Sequence, residues 1–145
     1  MPTRTARTGW TGTLQEGGGK VELTSSKLAT FEVSFPRRAA DEAGGFTSPE
    51  ELIAAAHSSC FAMALSNEVA KAGGTPRALD ITAEVTLGQK DGAPHITKVR
   101  LTVRGEVEGL DAAGFEQAAQ AAKVGCPVSK ALAGVDEITL DAALE

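Results

Sequence analysis

The chain has 145 residues with a net charge of −5, and its hydrophobic fraction of 42% is ordinary for a globular domain. No cluster or stripe of Lys and Arg is present, which argues against a nucleic-acid surface. The longest near-apolar window, residues 52–65, is too short to cross a bilayer, and MPTRTARTGW has no apolar run typical of a secretory signal. We therefore expect one cytoplasmic domain over residues 1–145, with no nucleic-acid or membrane partner.

The first third of the chain is typical of β-strands. Alternating and β-branched residues predict strands over roughly 9–15, 21–25 and 30–35. The glycine-rich stretch 16–20 predicts a hairpin turn between the first two strands, and residues 37–48 predict a loop.

A long central helix is predicted next. Ser48 followed by Pro49 is typical of a helix start, and Glu50 and Glu51 stand in the first turn, where the helix dipole favours negative charge. The helix should end near residue 72, before two glycines and a proline. Residues 52–65 are apolar on nearly all sides, which predicts a helix buried all round and favours a dimer in which a partner chain covers it.

The second half of the chain predicts two further strands, two helices and a last strand. Apolar residues alternate with polar ones over 81–87 and 98–104, which predicts antiparallel strands joined by residues 88–95. Asp111 can cap a helix that ends near residue 124, Cys126–Pro127 opens a short helix, and residues 137–144 form the final strand. The order βββ-α-ββ-αα-β predicts an α+β fold, with antiparallel sheets packed around the long central helix.

The residues with reactive side chains favour thiol chemistry over a metal or a hydrolase. The chain has only two cysteines, Cys60 and Cys126, and two histidines, His57 and His95, without the CxxC pairs of a structural zinc site. No GxSxG motif is present. We expect neither a metal nor a cofactor.

Each cysteine can be interpreted either as a structural core residue or as a reactive thiol. A free cysteine often fills a core as a small hydrophobe. Cys126, however, stands at a helix start, where free backbone N–H groups lower a thiol pKa, and Cys60 has His57 one turn back on the same helix. An arginine from the pair Arg37 and Arg38 would also favour a thiolate. On these residues alone, either cysteine could be the attacking one.

Several stretches of the sequence resemble the OsmC/Ohr family, which comprises osmotically inducible and organic-hydroperoxide-resistance proteins. They are TSPEELIAAAHSSCFAMALS, KVGCPVSKAL, EITLDAAL, GWTG and HITKVRLTVRGEV, and they cover almost the whole chain. The sequence is more similar to the OsmC branch, because an arginine stands in the loop before the central helix, in FPRR. The other branch carries an arginine in the first hairpin, where this chain has Lys20.

The resemblance implies a thiol peroxidase that reduces organic hydroperoxides, and hydrogen peroxide less well. Cys60 would be the peroxidatic residue and Cys126 the resolving one, with Arg38 and Glu50 completing the site. Arg37 is a rival to Arg38, since the loop carries two adjacent arginines. The resemblance implies that the chemistry would proceed through a sulfenic acid and an intramolecular disulfide, which an external dithiol would reduce.

Glu50 and Cys60 are ten residues apart, which on one straight helix is a rise of about 15 Å. Either the helix is broken between them, or Glu50 meets the Cys60 of a second chain. We predict the second arrangement: an intertwined homodimer whose sites each combine Arg38 and Glu50 of one chain with both cysteines of the other.

Two further residues are candidates for the pocket. His57 is expected to be a core histidine that donates to a backbone carbonyl, with a role as a base for Cys60 as the alternative. Phe46 is expected to form an apolar wall for the organic part of the substrate. Two other functions stay open: a redox sensor that uses the same disulfide, and a non-catalytic ligand-binding module of the same fold.

Overall fold

The computed structural model describes residues 1–145 and contains six strands and four helices. The elements are β1 (Arg7–Thr11), β2 (Gly18–Glu22), β3 (Thr30–Val33), α1 (Phe35–Arg38), α2 (Pro49–Lys71), β4 (Thr75–Lys90), β5 (Ala93–Glu108), α3 (Ala112–Gly125), α4 (Pro127–Ala131) and β6 (Glu137–Leu144). The chain divides into two compact units, Met1–Leu52 and Ile53–Glu145. None of the helices combines the length and apolarity that a membrane span needs.

The first unit is built on a three-stranded antiparallel sheet in the order β1-β2-β3. Thr8 and Phe31 flank Val21 in register, and Val21 is the buried apolar residue of the sheet. The three predicted strands and the hairpin turn between the first two are confirmed. β1 and β3 end earlier than predicted, at Thr11 and Val33, whereas β2 has the predicted five residues but begins and ends three residues earlier, at Gly18 and Glu22.

A short helix, α1, occupies part of the segment that we predicted as strand and loop. Ser34 caps it: the Ser34 Oγ accepts from the backbone N–H of Arg37 at 3.3 Å, and Pro36 stands in the first turn. The prediction of strand through residue 35 and of loop from residue 37 is therefore wrong. Serine before a proline in the first turn is the same helix-start signature that identifies Ser48 and Pro49.

The long helix α2 begins where the sequence predicts. The Ser48 Oγ accepts from the backbone N–H of Glu51 at 3.1 Å, which satisfies one of the free donors of the first turn. Beyond its first turn, α2 buries one stripe of side chains at four-residue spacing within one chain: His57, Phe61, Leu65 and Val69. Met63 is 74% exposed, so the single chain leaves one side of the helix open, and the covering of that side by a partner chain stays a prediction.

β4 and β5 form a long antiparallel hairpin in the second unit. Its turn is Asp91–Gly92, with φ of 52° and 78°, between paired residues Lys90 and Ala93. Two consecutive positive φ values are typical of the type I′ turn, whose twist matches that of the flanking strands. The ladder therefore continues through residues 88–95, which we predicted as a loop because they lack apolar alternation. Backbone pairing needs no such alternation.

Two helices connect β5 to β6, and β6 pairs parallel to β5. Asp111 caps α3 as predicted, with Oδ1 accepting from the backbone N–H of Gly114 at 2.8 Å. The apolar face of α3 is buried: Phe115, Ala118, Ala119 and Ala122. The predicted antiparallel arrangement is wrong for this one strand pair, because a helical crossover returns the chain to the same end of the sheet. The α+β class itself is confirmed.

The core of the second unit lies between α2, α3 and the sheet β4-β5-β6. Phe61, Leu101 and Phe115 are fully buried there, and Cys126 belongs to the same cluster. Gly105 of β5 lies directly under the Phe115 ring, where a Cβ would stand 2.7 Å from Cζ. The missing side chain of Gly105 therefore sets how closely α3 approaches β5.

This contact predicts that Gly105→Ala destabilises the protein by about 1–3 kcal/mol, the usual cost of overpacking a filled core. Chemical denaturation monitored by circular dichroism measures the change. Gly134→Ala is the matched control, because a Cβ there meets no atom within 4 Å. Equal stability of the two variants would contradict the proposed contact.

Candidate active site

The fold brings the two cysteines together in the second unit. Cys60 lies on α2 and is half-buried, and it packs against the core cluster that contains Cys126. Cys126 is completely buried, and the two free thiols interact with one another. Two cysteines that are remote in sequence therefore form a side-by-side pair with one accessible and one inaccessible sulfur.

Cys126 owes its position to the junction between two helices. Its backbone N–H donates to the Ala122 carbonyl at 2.8 Å, which closes the last turn of α3, and the same residue is the N-cap of α4. Pro127, in the first turn of α4, needs no hydrogen-bond acceptor and has a backbone angle suited to a helix start. The thiol is thus held at a fixed point by the backbone on both sides.

The surroundings of Cys126 favour its thiolate. Burial raises the pKa of this thiol, but the neighbouring polar groups outweigh the burial and leave the pKa below its ordinary value. These groups are the Ser129 backbone N–H, the Cys60 thiol, the Ser129 hydroxyl and the Val128 backbone N–H. Hydrogen bonds that stabilise a charged form lower the pKa of an acid.

The surroundings of Cys60 act in the opposite direction. Burial raises its pKa, the hydrogen bond with Cys126 raises it further, and a bond from the Val128 backbone N–H only partly opposes them. Of the two sulfurs, the accessible one is therefore the weaker acid in the single chain. The groups of its own unit raise the Cys60 pKa. The lowering of this pKa by an arginine of a second chain therefore stays a prediction.

His57 is a buried core residue, but its partner differs from the predicted one. Its Nε2 lies 2.7 Å from the Ser129 Oγ, and its Nδ1 is buried without a protein partner. The prediction that it donates to a backbone carbonyl is therefore wrong. Burial lowers the pKa of His57, which keeps the ring neutral at physiological pH.

In the first unit, Arg38 and Glu50 form a forked ion pair. The Arg38 Nη2 donates to Oε1 at 2.7 Å, and its Nε donates to Oε1 and Oε2 at 3.1 and 3.2 Å. The hydrogen bond to Glu50 raises the pKa of Arg38, and burial only partly offsets this. The Glu50 side chain is 9% exposed and that of Arg38 is 32% exposed, so the carboxylate is covered while part of the guanidinium stays open to solvent.

Arg37 faces a different partner from Arg38. Its guanidinium carbon lies 5.8 Å from the centre of the Phe46 ring, within the range of a cation–π contact. The Arg37 and Phe46 side chains line a small cavity of about 130 Å³ together with Arg38, Asp41 and Glu51. The structure thus separates the adjacent arginines: Arg38 pairs with Glu50, and Arg37 stacks on Phe46.

Phe46 also borders a second groove in the first unit. This groove has a volume of about 430 Å³, and Lys20, Glu32 and Val33 contribute to its walls along with glycines of β1 and β2. Glycines leave the sheet surface open there because they carry no side chain. Phe46 is therefore available as an apolar wall, as predicted, although its role toward a substrate stays a prediction.

The central helix runs without interruption from Pro49 to Lys71. The alternative of a break between Glu50 and Cys60 is therefore wrong.

Sequence reasoning missed Ser129, the buried partner of His57. It is the third residue after Cys126, within the first turn of α4. That spacing could have placed it near the buried thiol. Its bond to His57, which is 72 residues away in sequence, leaves no local pattern.

Residues 41–141 match the family described as OsmC-like protein, and the chain belongs to the OsmC/Ohr family. It is 45% identical over 132 residues to the peroxiredoxin OsmC of Escherichia coli (strain K12), covering 91% of this chain and 90% of that protein. It is 33% identical over 126 residues to the organic hydroperoxide resistance protein OhrA of Bacillus subtilis (strain 168), covering 86% and 87%.

Solved structures give the same assignment. The fold matches that of an organic hydroperoxide resistance protein from Elizabethkingia anophelis with a TM-score of 0.79 and 26% identity, over 100% of this chain and 98% of that one. It matches OhrB of Bacillus subtilis with a TM-score of 0.72 and 26% identity, over 97% and 98%. The names of these relatives support a peroxidase role in the family.

The burial of His57 predicts a pH-dependent contribution to stability. Its folded pKa lies below the ordinary 6.5, so the unfolded chain takes up a proton first as the pH falls. The free energy of unfolding should therefore be highest above about pH 6.5 and decrease below it, by at most about 1.4 kcal/mol per pH unit.

His57→Gln should remove this component, because the amide does not titrate while its nitrogen can still reach Ser129. Denaturant titrations of both proteins between pH 7.5 and 5.5 measure the difference, and the carboxylates common to both cancel. A constant difference across this range would contradict the prediction.

Proposed function

We propose that this protein is a cysteine-based peroxidase that reduces organic hydroperoxides to alcohols, with Cys60 as the peroxidatic residue and Cys126 as the resolving one. The observation that carries the proposal is the side-by-side thiol pair, in which only Cys60 is accessible to a substrate from solvent. The relatives named peroxiredoxin and organic hydroperoxide resistance protein support the same chemistry.

The first step consumes the hydroperoxide. The Cys60 thiolate attacks one peroxide oxygen, the O–O bond breaks, and the organic part leaves as an alkoxide that takes a proton to become an alcohol. The sulfur is oxidised to a sulfenic acid and the peroxide is reduced. Because only the thiolate is an effective nucleophile, the rate depends on the ionised fraction of Cys60.

The second step joins the two sulfurs. The Cys126 thiolate attacks the sulfenic sulfur of Cys60, the S–O bond breaks, and hydroxide leaves and becomes water. The resulting disulfide then exchanges with an external dithiol, which is itself oxidised to a disulfide while both cysteines return to thiols. No cofactor takes part in either step.

Activation of Cys60 is proposed to come from a second chain. The groups of its own unit raise the Cys60 pKa, so a cation is needed to favour the thiolate. Arg38 of the partner subunit would supply it. Glu50 binds the guanidinium through Nε and Nη2, which orients the guanidinium and leaves Nη1 for a peroxide oxygen. Two such shared sites per dimer agree with the continuous helix between Glu50 and Cys60.

The organic part of the substrate is proposed to lie against the Phe46 ring, with Arg37 stacked behind it. An apolar wall favours alkyl and aryl hydroperoxides over hydrogen peroxide, which offers no apolar surface to bury. We propose that the chain works as one cytoplasmic domain.

The two cysteines should fail in different ways when each is replaced. Cys60→Ser should reduce consumption of cumene hydroperoxide with a dithiol present to the background rate, because the nucleophile is gone. Without a dithiol, which would itself reduce a sulfenic acid, Cys126→Ser should consume about one equivalent and stop at a sulfenic acid that dimedone traps. A peroxide assay measures the consumption of hydroperoxide, and mass spectrometry detects the dimedone adduct.

Ser59→Ala is the control for this pair of variants, because its hydroxyl bonds the Ala55 and Ala56 carbonyls at 2.9 and 3.0 Å rather than a cysteine. It should keep wild-type turnover. Full activity of Cys60→Ser would overturn the proposed function.

Shared sites predict complementation between two inactive variants. A dimer of one Cys60→Ser chain and one Arg38→Ala chain would contain one intact site out of two, so its activity should be about half that of the wild-type dimer. Co-expression with two different affinity tags isolates this mixed dimer.

The two parental homodimers, each with both sites defective, are the controls for complementation. A mixed dimer as inactive as both parents would contradict the sharing of sites between chains. A monomer in size-exclusion chromatography would contradict it as well.

A further inference from the structure

A buried hydrogen bond joins the two helical segments that carry the cysteines and has no part in the chemistry described so far. The Nε2 of His57, on α2, lies 2.7 Å from the Oγ of Ser129, on α4. His57 is fully buried and Ser129 is 8% exposed. The buried Nδ1 of His57 has no protein partner, which costs free energy. Apolar side chains of the same shape could fill this place at little cost, so the polar pair needs a reason other than stability.

The spacing of the residues places this hydrogen bond in line with the sulfurs. On α2, Cys60 follows His57 by three residues. On α4, Ser129 follows the N-cap residue Cys126 by three residues. Residues three apart lie on one face of a helix. The hydrogen bond and the sulfur pair are therefore successive contacts between two segments that run in opposite directions, about 4.5 Å apart along each axis.

Helix α4 depends on tertiary contacts for its position relative to α2. It has only five residues, and a helix of this length is not stable alone. Three of the five are exposed, while Val128 packs against the core cluster and Ser129 is buried. An apolar contact such as that of Val128 tolerates sliding and rotation, whereas a hydrogen bond is directional and favours one position. The bond of Ser129 to His57 therefore sets where the start of α4 lies against α2.

The direction of the bond follows from counting donors. If the Ser129 hydroxyl donated to His57, the neutral ring would carry its proton on Nδ1, the buried atom without a protein partner. A buried unpaired N–H is rarer than a buried unpaired acceptor. Nε2 therefore carries the proton and donates to the Ser129 Oγ.

We propose that the hydrogen bond between His57 and Ser129 positions the resolving cysteine, by holding the start of α4 against α2 so that Cys126 stays within bonding reach of the Cys60 sulfur. His57 and Ser129 are positioning residues, because this role requires contact with neither the substrate nor the reacting sulfurs. The inference rests on the proposed peroxidase function for the step that it serves. The reach between the two sulfurs can, however, be measured without any hydroperoxide.

The bond acts before the resolving step and takes no part in its chemistry. In that step the Cys126 thiolate attacks the sulfenic sulfur of Cys60, the S–S bond forms, the S–O bond breaks, and hydroxide leaves and takes up a proton to become water. His57 and Ser129 exchange neither a proton nor an electron. They restrict the freedom of the attacking sulfur, and such orientation accelerates a reaction between two groups of one molecule.

The test measures how strongly the protein favours the disulfide over the two thiols. The purified chain is equilibrated at neutral pH with mixtures of glutathione and glutathione disulfide, in which two glutathione thiols are oxidised for each protein disulfide that is reduced. Acid quenching, alkylation of the free thiols and mass spectrometry give the ratio of the two forms. The resulting equilibrium constant is the effective concentration of one protein sulfur toward the other.

Two polar replacements of His57 differ in whether they can make the bond. The amide nitrogen of glutamine reaches the position of Nε2, whereas that of asparagine is too short. His57→Asn should therefore lower the effective concentration by roughly two- to tenfold, the range that one hydrogen bond contributes. His57→Gln should stay close to wild type. Ser59→Ala is a second control and should cause no change, because the Ser59 hydroxyl bonds backbone carbonyls of its own helix.

Ser129→Ala provides the other half of a double-mutant cycle. Since one bond can be lost only once, adding Ser129→Ala to His57→Asn should have little further effect on the effective concentration. Additive effects of the two changes would overturn the proposal, and so would equal values for His57→Asn and His57→Gln. A wild-type chain that forms no disulfide with glutathione would overturn it too, because the sulfurs would then be out of reach.

A second readout separates positioning from packing and from catalysis by His57. After rapid mixing with cumene hydroperoxide, His57→Asn should form the sulfenic acid at the wild-type rate and the disulfide roughly two- to tenfold more slowly, so that dimedone traps more of Cys60. A lower free energy of unfolding with both rates unchanged would assign His57 to packing alone. A slower first step in both His57→Asn and His57→Gln would instead make His57 a base for Cys60. Either result would overturn the proposal.

The two proposals fail separately. Wild-type protein that leaves hydroperoxide unreduced would remove the peroxidase function, while the glutathione equilibrium would still decide whether the bond positions the sulfurs. Conversely, an active peroxidase whose His57→Asn variant keeps the wild-type effective concentration would keep the function and remove the positioning role.

Discussion

The meeting of Cys60 and Cys126 depends on one packing contact, that of α2 against α3 across the core of the second unit. The buried stripe of α2 is spaced by four residues, so Phe61 and Leu65 set the rotation of the helix and thereby the direction of Cys60. Ala118, Ala119 and Ala122 of α3 are buried in the same cluster as Phe61 and Leu65. A rotation of either helix by one residue would separate the sulfurs.

The two thiols have unequal environments because they occupy different parts of their helices. Cys60 lies in the middle of α2, where the backbone N–H groups of the helix already donate to carbonyls within the helix. The backbone N–H that acts on its sulfur belongs to Val128, outside α2. Cys126 lies at a helix start, where the N–H groups of Val128 and Ser129 are free to bind an anion. The same chemical group is therefore a weaker acid at one position and a stronger acid at the other.

The sequence predicted most elements, and the failures have physical causes. Capping residues identified the starts of α2 and α3, since Ser48 and Asp111 act locally. Apolar alternation underestimated the lengths of β4 and β5, because backbone pairing up to the Asp91–Gly92 turn requires no apolar face. The reactive pair was expected from family resemblance alone, and Ser129 was missed because its bond to His57 depends on tertiary packing.

Under the proposed function, the difference in exposure also sets the direction of thiol–disulfide exchange. An external thiolate must reach a sulfur from solvent, and Cys126 is 0% exposed, so the attack falls on Cys60. The sulfur that leaves is then Cys126, whose surroundings hold its pKa below the ordinary value, and a thiol of lower pKa leaves faster. Reduction by the opposite route would have to expel Cys60, the weaker acid, and expose a buried sulfur. The arrangement that serves resolution therefore serves regeneration as well.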